Sequence, residues 1–171
     1  MSLIDRLTDA VFAAVRWLIL AMIVVGAFNA LARYATRFTG ISFASNAALD
    51  IQWYMFAMVF LLGAAHALKH GVHVRVDVGY ARLSGRGRAW VDLIGTVLLA
   101  VPFCVMVLVT SWPAVRNSWG IREGSPDPGG LPRYPIKVVL LLGFALLLLQ
   151  AVAHIRRQVK VLRGPRGGEE T

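Results

Sequence analysis

Val138-Val-Leu-Leu-Leu-Gly-Phe-Ala-Leu-Leu-Leu-Leu-Gln-Ala-Val-Ala-His-Ile155 runs eighteen residues without an acidic or basic charge. At 1.5 Å per residue a helix of that length reaches about 27 Å, close to the thickness of a bilayer's hydrocarbon core. Working outward from this stretch, three others have the same character: Trp17 to Ala32, Ile51 to Leu68 and Leu93 to Val115. The first is the shortest, and it lengthens to Val11 if Arg16 sits at the boundary and extends its guanidinium outward. That avoids the roughly 2.5–3.5 kcal/mol an arginine costs at the bilayer centre. The expected fold is therefore all-α: an integral membrane protein with four transmembrane helices at about 11–32, 51–68, 93–115 and 138–155. These form one membrane domain, residues 1–162, followed by a tail, 163–171.

Composition points the same way. Of the 171 residues, 57% are hydrophobic and 16% charged, far more apolar surface than one soluble core of this size could hide. Membrane lipid must cover the excess. All five tryptophans, Trp17, Trp53, Trp90, Trp112 and Trp119, fall near a proposed span boundary, where an amphipathic indole is best solvated. The net charge of +9 raises nucleic acid as a partner, but the basic residues punctuate the ends of apolar runs instead of forming one basic face, which argues against it. Cys104 is the single cysteine and lies in an apolar run, so neither a disulfide framework nor a thiolate cluster is expected. Ala30-Leu-Ala32 loosely fits a signal-peptide cleavage site, but Asp5 and Asp9 dilute the leader's basic charge and the apolar run is long, which favours an uncleaved first helix.

With four spans, the N-terminus, the loop between spans two and three and the C-terminus share one side. That side carries Arg6, Arg16, Lys69, Arg75, Arg82, Arg86, Arg88, Arg156, Arg157, Lys160, Arg163 and Arg166, twelve basic residues; the other carries Arg33, Arg37, Arg116, Arg122, Arg133 and Lys137, six. The positive-inside rule then makes the first side cytoplasmic, giving an N-in/C-in topology. Ser84-Gly-Arg-Gly-Arg88 should break the cytoplasmic loop before span three, its arginines meeting lipid headgroups. The Gly-rich charged tail is expected to be disordered. The outer loop Gly120 to Pro135 holds four prolines and several glycines, so a rigid, turn-rich hairpin is expected there.

Polar side chains inside apolar spans should face protein. Gly26, Asn29 and Arg33 share one face of span one, and Gly26 with Ala30 forms a small-xxx-small pair that lets another helix approach. Gly143, Gln150 and His154 form a stripe on span four, and Gln52 opens span two beside Asp50, Trp53 and Tyr54. Pro102 should bend span three. No Asp or Glu lies at mid-depth in any span, and no Gly/Pro-broken pair of spans marks a carrier's solute site, so a self-sufficient transporter is disfavoured. His66 and His154 both lie near the same membrane boundary, which raises a haem-binding membrane anchor of a redox enzyme as the alternative. His66 and His70 share a helix face but lack a third ligand in the local sequence, so no metal site is expected. Neither a nucleophile motif nor a phosphate loop is present; no catalytic site, cofactor or enzyme activity is expected.

Two segments are more specific than a generic membrane protein. Asp50-Ile-Gln-Trp-Tyr-Met-Phe, continuing through Phe60-Leu-Leu-Gly-Ala64 to His73-Val-Arg-Val-Asp77, resembles the second helix and following loop of the small permease (DctQ-type) subunit of tripartite ATP-independent periplasmic (TRAP) transporters. Glu123-Gly-Ser-Pro-Asp-Pro-Gly-Gly-Leu-Pro-Arg133, with Ile136-Lys137 and Gly143-Phe144, is similar to the outer loop and last helix of the mannitol/chloroaromatic-type branch. Asn29 with Arg33-Tyr34 adds a weaker match. Asp50 departs from the glutamate that many members carry just before Gln-Trp-Tyr; charge is kept and reach is shortened.

The resemblance implies an inner-membrane subunit without chemistry of its own. A periplasmic substrate-binding protein captures the solute, a large multi-span permease subunit moves it with a sodium gradient, and the small subunit braces the large one; related systems carry organic acids. Gly26, Asn29, Arg33, Gln52, Gln150 and His154 are then candidates for contacts within the bundle or with the large subunit. His73, Arg75 and Asp77 mark the family-motif loop, and Gly129, Gly130, Leu131 and Pro132 are candidates for touching an outer partner.

Overall fold

The computed structural model describes residues 3–40, 45–71, 80 and 83–163. Four helices are long and apolar enough to cross a membrane: α1 Leu3–Thr39, α2 Asn46–His70, α3 Gly85–Gly120 and α4 Tyr134–Arg163. Each contains one of the four uncharged stretches. The helices overrun those stretches because nothing in the flanking sequence stops them. α1, at 37 residues, is about 55 Å long and ends only at Gly40, whose φ of +68° is the left-handed conformation that glycine adopts without steric cost. α2 begins at Ser45, whose hydroxyl accepts from the Ala47 amide, and ends at Gly71, φ 64°. Ser84 caps α3 through the Gly87 amide at 3.2 Å, so Gly85 to Arg88, expected to break the loop, instead form the first helical turn.

Pro102 has a local consequence in α3. It supplies no amide hydrogen, and its ring crowds the preceding turn. The helix widens into a π segment at Thr96–Ala100 immediately before it, with the Val101 amide reaching back to the Thr96 carbonyl. The proline is accommodated by that extra residue per turn.

α4 is the hub. It packs against α1, α2 and α3, whereas α3 makes no comparable contact with α1 or α2. Its buried residues Gly143, Leu146, Gln150, Ala153 and His154 recur at helical spacing and form one stripe. At Gly143 an added Cβ would lie 2.8 Å from the Leu61 Cβ and 3.1 Å from the Leu61 carbonyl oxygen, so only glycine permits this α2–α4 crossing. On α1, Thr8, Val15 and Asn29 are buried, residues on a seven-residue spacing that keeps one seam toward the neighbouring helices. The opposite surface of α1 is apolar and exposed, including Trp17, Leu20, Val24, Phe28 and Leu31. Such a face requires lipid or another apolar helix.

Candidate functional site

Polar side chains concentrate at the two ends of the bundle. The end that carries the start of α1 and the finish of α2 and α4 is the terminus end; the opposite one is the loop end.

At the terminus end, Gln150 of α4 is fully buried. Its Oε1 accepts from the Thr8 hydroxyl at 3.0 Å, and its Nε2 donates to Asp5 Oδ1 at 3.3 Å. Asp5 is also buried, and Arg157 of α4 lies 3.7 Å from the same oxygen. One turn along α1, Asp9 accepts from Lys69 Nζ at 2.6 Å, while that ammonium also donates to the Asp5 carbonyl at 3.1 Å. Asp9, Phe12 and His66 meet beside it: the Phe12 and His66 rings stack with centroids 3.7 Å apart, and His66 Nδ1 lies 3.7 Å from Asp9 Oδ1. Three helices are thereby tied by side-chain pairs. Asp9, His66 and His70 also bring three metal-ligand-type atoms within 4.8 Å of one another. His154, buried on the same stripe, meets Gln158 at 3.2 Å. His66 thus packs on α1 through Phe12, while the contact of His154 with Gln158 lies within its own helix.

At the loop end, the chain between α3 and α4 folds back on the start of α2. Asp127-Pro128-Gly129-Gly130 is a tight turn closed by the Gly130 amide on the Asp127 carbonyl at 3.0 Å; proline second and glycine third at φ +72° is the type II pattern. The turn carries the Leu131 amide to Asp50 Oδ2 at 2.8 Å. Tyr54 donates to the Pro132 carbonyl at 2.9 Å, and Asn46 to the Pro128 carbonyl at 3.0 Å. A Cβ on Gly130 would lie 2.4 Å from Ser125 Oγ and 2.6 Å from Asp50 Oδ2, so this approach also demands glycine. Behind the turn, Lys137 forms an ion pair with Glu123, whose hydrogen bond from Lys137 holds its carboxyl below the usual carboxylate range.

The sequence-predicted residues divide accordingly. Gly26 and Gln52 come together: the place of a Gly26 Cβ is 2.6 Å from Gln52 Nε2, beside an open groove of about 440 Å³ lined by Met22, Gln52, Trp53 and Phe56. Asn29 is buried, its Oδ1 accepting from the Ser45 amide at 3.4 Å, which joins α1 to the start of α2. Arg33 is exposed. Ala30 is exposed too, so the Gly26–Ala30 pair does not form one buried interface; Ala30 lies one residue beyond the buried Asn29 and turns to the outer surface. Gln150 and His154 share the α4 stripe. Gly130 and Leu131 are half-buried on α2 of the same chain, while Gly129 and Pro132 stay exposed. His73, Arg75 and Asp77 lie outside the described residues. Spacing along α1 does not mark Asp5, Thr8 and Asp9 as packing residues, because the signal that identifies them is their partner on another helix.

Most of these contacts join helices or brace a turn. A comparison of the sequence with protein-family models matches residues 22–161 to the DctQ component of the tripartite ATP-independent periplasmic transporters. No curated protein matches the chain. That match does not favour a haem anchor, and it spans the second half of α1, all of α2 and α3 and nearly all of α4. With its four apolar helices, the chain therefore belongs to the DctQ component family of the tripartite ATP-independent periplasmic transporters, as a small, multi-pass inner-membrane subunit.

Proposed function

We propose that this subunit braces the large multi-span permease subunit during sodium-driven uptake of an organic acid or similar small solute, delivered by a periplasmic substrate-binding protein. The observation that carries the reading is how the polar side chains are used. Gln150, Asn29, Asp50 and Tyr54 are engaged inside the chain, and no acidic residue lies at mid-depth in the apolar stretches. A chain so arranged offers stiffness and an apolar outer face instead of an ion path. The exposed side of α1 supplies that face to the large subunit and to membrane lipid.

Within this reading, Gly26 and Gln52 fix α1 against α2, Gln150 and His154 fix α4, and exposed Arg33, Gly129 and Pro132 are available to partners. The twelve-to-six distribution of basic residues supports a cytoplasmic terminus end, which turns the Gly129 to Pro132 loop toward the periplasm and the binding protein. The sequence similarity of that loop supports the mannitol/chloroaromatic-type branch. The glycine-rich, charged composition at the end of the chain supports a membrane domain of 1–162 followed by a tail, 163–171.

Reconstitution tests the division of labour. Proteoliposomes with this chain alone should show no sodium-driven uptake, and those with the large subunit and binding protein should need this chain for full rate. Uptake by this chain alone would contradict the bracing role.

A further inference from the structure

The Asp9, His66 and His70 cluster does something the family assignment does not require. Its three ligand-type atoms come from two helices and lie within 4.8 Å of one another. His66 Nδ1 is shielded from solvent and has no hydrogen-bond partner, although Asp9 Oδ1 is 3.7 Å away. A neutral imidazole and a carboxylate that merely paired would close to about 2.8 Å. Their wider separation is near the roughly 3.4 Å expected between two atoms bound to one tetrahedral zinc at about 2.1 Å each.

His70 completes the arrangement. Its Nδ1 is 3.1 Å from the His66 carbonyl, the contact by which a metal-bound histidine commonly fixes its ring and leaves Nε2 for the ion. It is exposed, so an ion can reach the cluster from outside the bundle. His66 and His70 are four residues apart on one helix face. Phe12 lies flat on the His66 ring and limits its rotation.

We propose that Asp9, His66 and His70 bind one divalent transition metal ion, of the zinc class, and that the ion ties α1 to α2 at the terminus end. Two imidazole nitrogens and one carboxylate oxygen suit zinc, with a fourth position left for water. Lys69 holds the other carboxylate oxygen, Oδ2, at 2.6 Å. That orients Oδ1 toward His66, while the ammonium's charge makes binding weaker than at a closed structural zinc site. The inference is independent of the bracing role.

The test is a zinc titration of the tag-free, full-length chain in detergent micelles, in competition with a chromophoric chelator. One Zn²⁺ per chain is expected. His70→Ala, at an exposed position, and Asp9→Asn, of nearly the same shape, should each weaken binding at least about tenfold, with helix content and elution volume unchanged. Zinc should also raise the thermal midpoint of the wild-type chain and not that of His70→Ala. A wild-type chain that takes up no zinc, or either variant binding as tightly as the wild type, overturns the proposal.

Discussion

The two ends of this bundle are held by different chemistry. At the terminus end, side chains pair mainly with side chains, Gln150 with Thr8 and Asp5 and Lys69 with Asp9, and Lys69 also reaches a backbone carbonyl, that of Asp5. At the loop end, side chains of α2 grip backbone: Asp50 the Leu131 amide, Tyr54 the Pro132 carbonyl, Asn46 the Pro128 carbonyl. The reason lies in the elements that meet. Helices have already used most of their backbone groups internally, so the links between them fall mainly to side chains. An irregular loop arrives with free amides and carbonyls and must have them satisfied. The terminus end therefore depends on the identity of its polar residues, and the loop end on a turn shape that two glycines permit.

The strongest way to break the terminus end is Gln150→Ala. It strands the buried Thr8 hydroxyl, takes one partner from Asp5 and opens a cavity, and it should destabilise the chain by about 3 kcal/mol, read by chemical unfolding in detergent. Gly130→Ala tests the loop end by shape alone. Its methyl would collide with Ser125 and Asp50, and a loss of about 2 kcal/mol is expected, together with faster protease cleavage in the loop.

Asp50→Ala removes the acceptor and leaves the turn intact. About 1–2 kcal/mol is the expected cost, with helix content by circular dichroism unchanged. If Gln150→Ala proved milder than Asp50→Ala, the ranking of the two ends would be reversed.

The smallest effect is electrostatic. The Glu123 carboxyl is held below its ordinary pKa by Lys137, so its contribution is present above the unfolded-state value and is lost as pH falls through the lower folded-state value. Loop protection, followed by amide exchange of Arg133, whose amide donates to the Glu123 carbonyl at 2.8 Å, should weaken as pH drops into that range. In Glu123→Gln this acid dependence should disappear.

How much of this was legible beforehand follows the same contrast. The four uncharged stretches and the Gly143, Gln150 and His154 stripe could be read because helical periodicity is a local property. Gly26 and Asn29 were legible for the same reason. The partners were not: Thr8 and Gln150 are 142 positions apart, and Asp50 and Leu131 are 81 apart. Such pairings depend on how helices dock, which spacing along one helix does not encode. Asp9 illustrates the cost. Read locally, it only diluted a basic leader; docked against α2, it becomes the third member of a cluster that His66 and His70 lacked. Arg33 and Ala30 are the opposite case: both are exposed although Asn29 and Ala32 beside them are buried, so the face drawn from spacing alone does not follow the packed seam.

The central claim is that this bundle works bound to a larger membrane subunit. Affinity purification of the chain from its native membrane in mild detergent tests it most directly. A large multi-span membrane protein should co-purify in fixed ratio; a chain that elutes alone from membranes that contain its transport system would contradict the account.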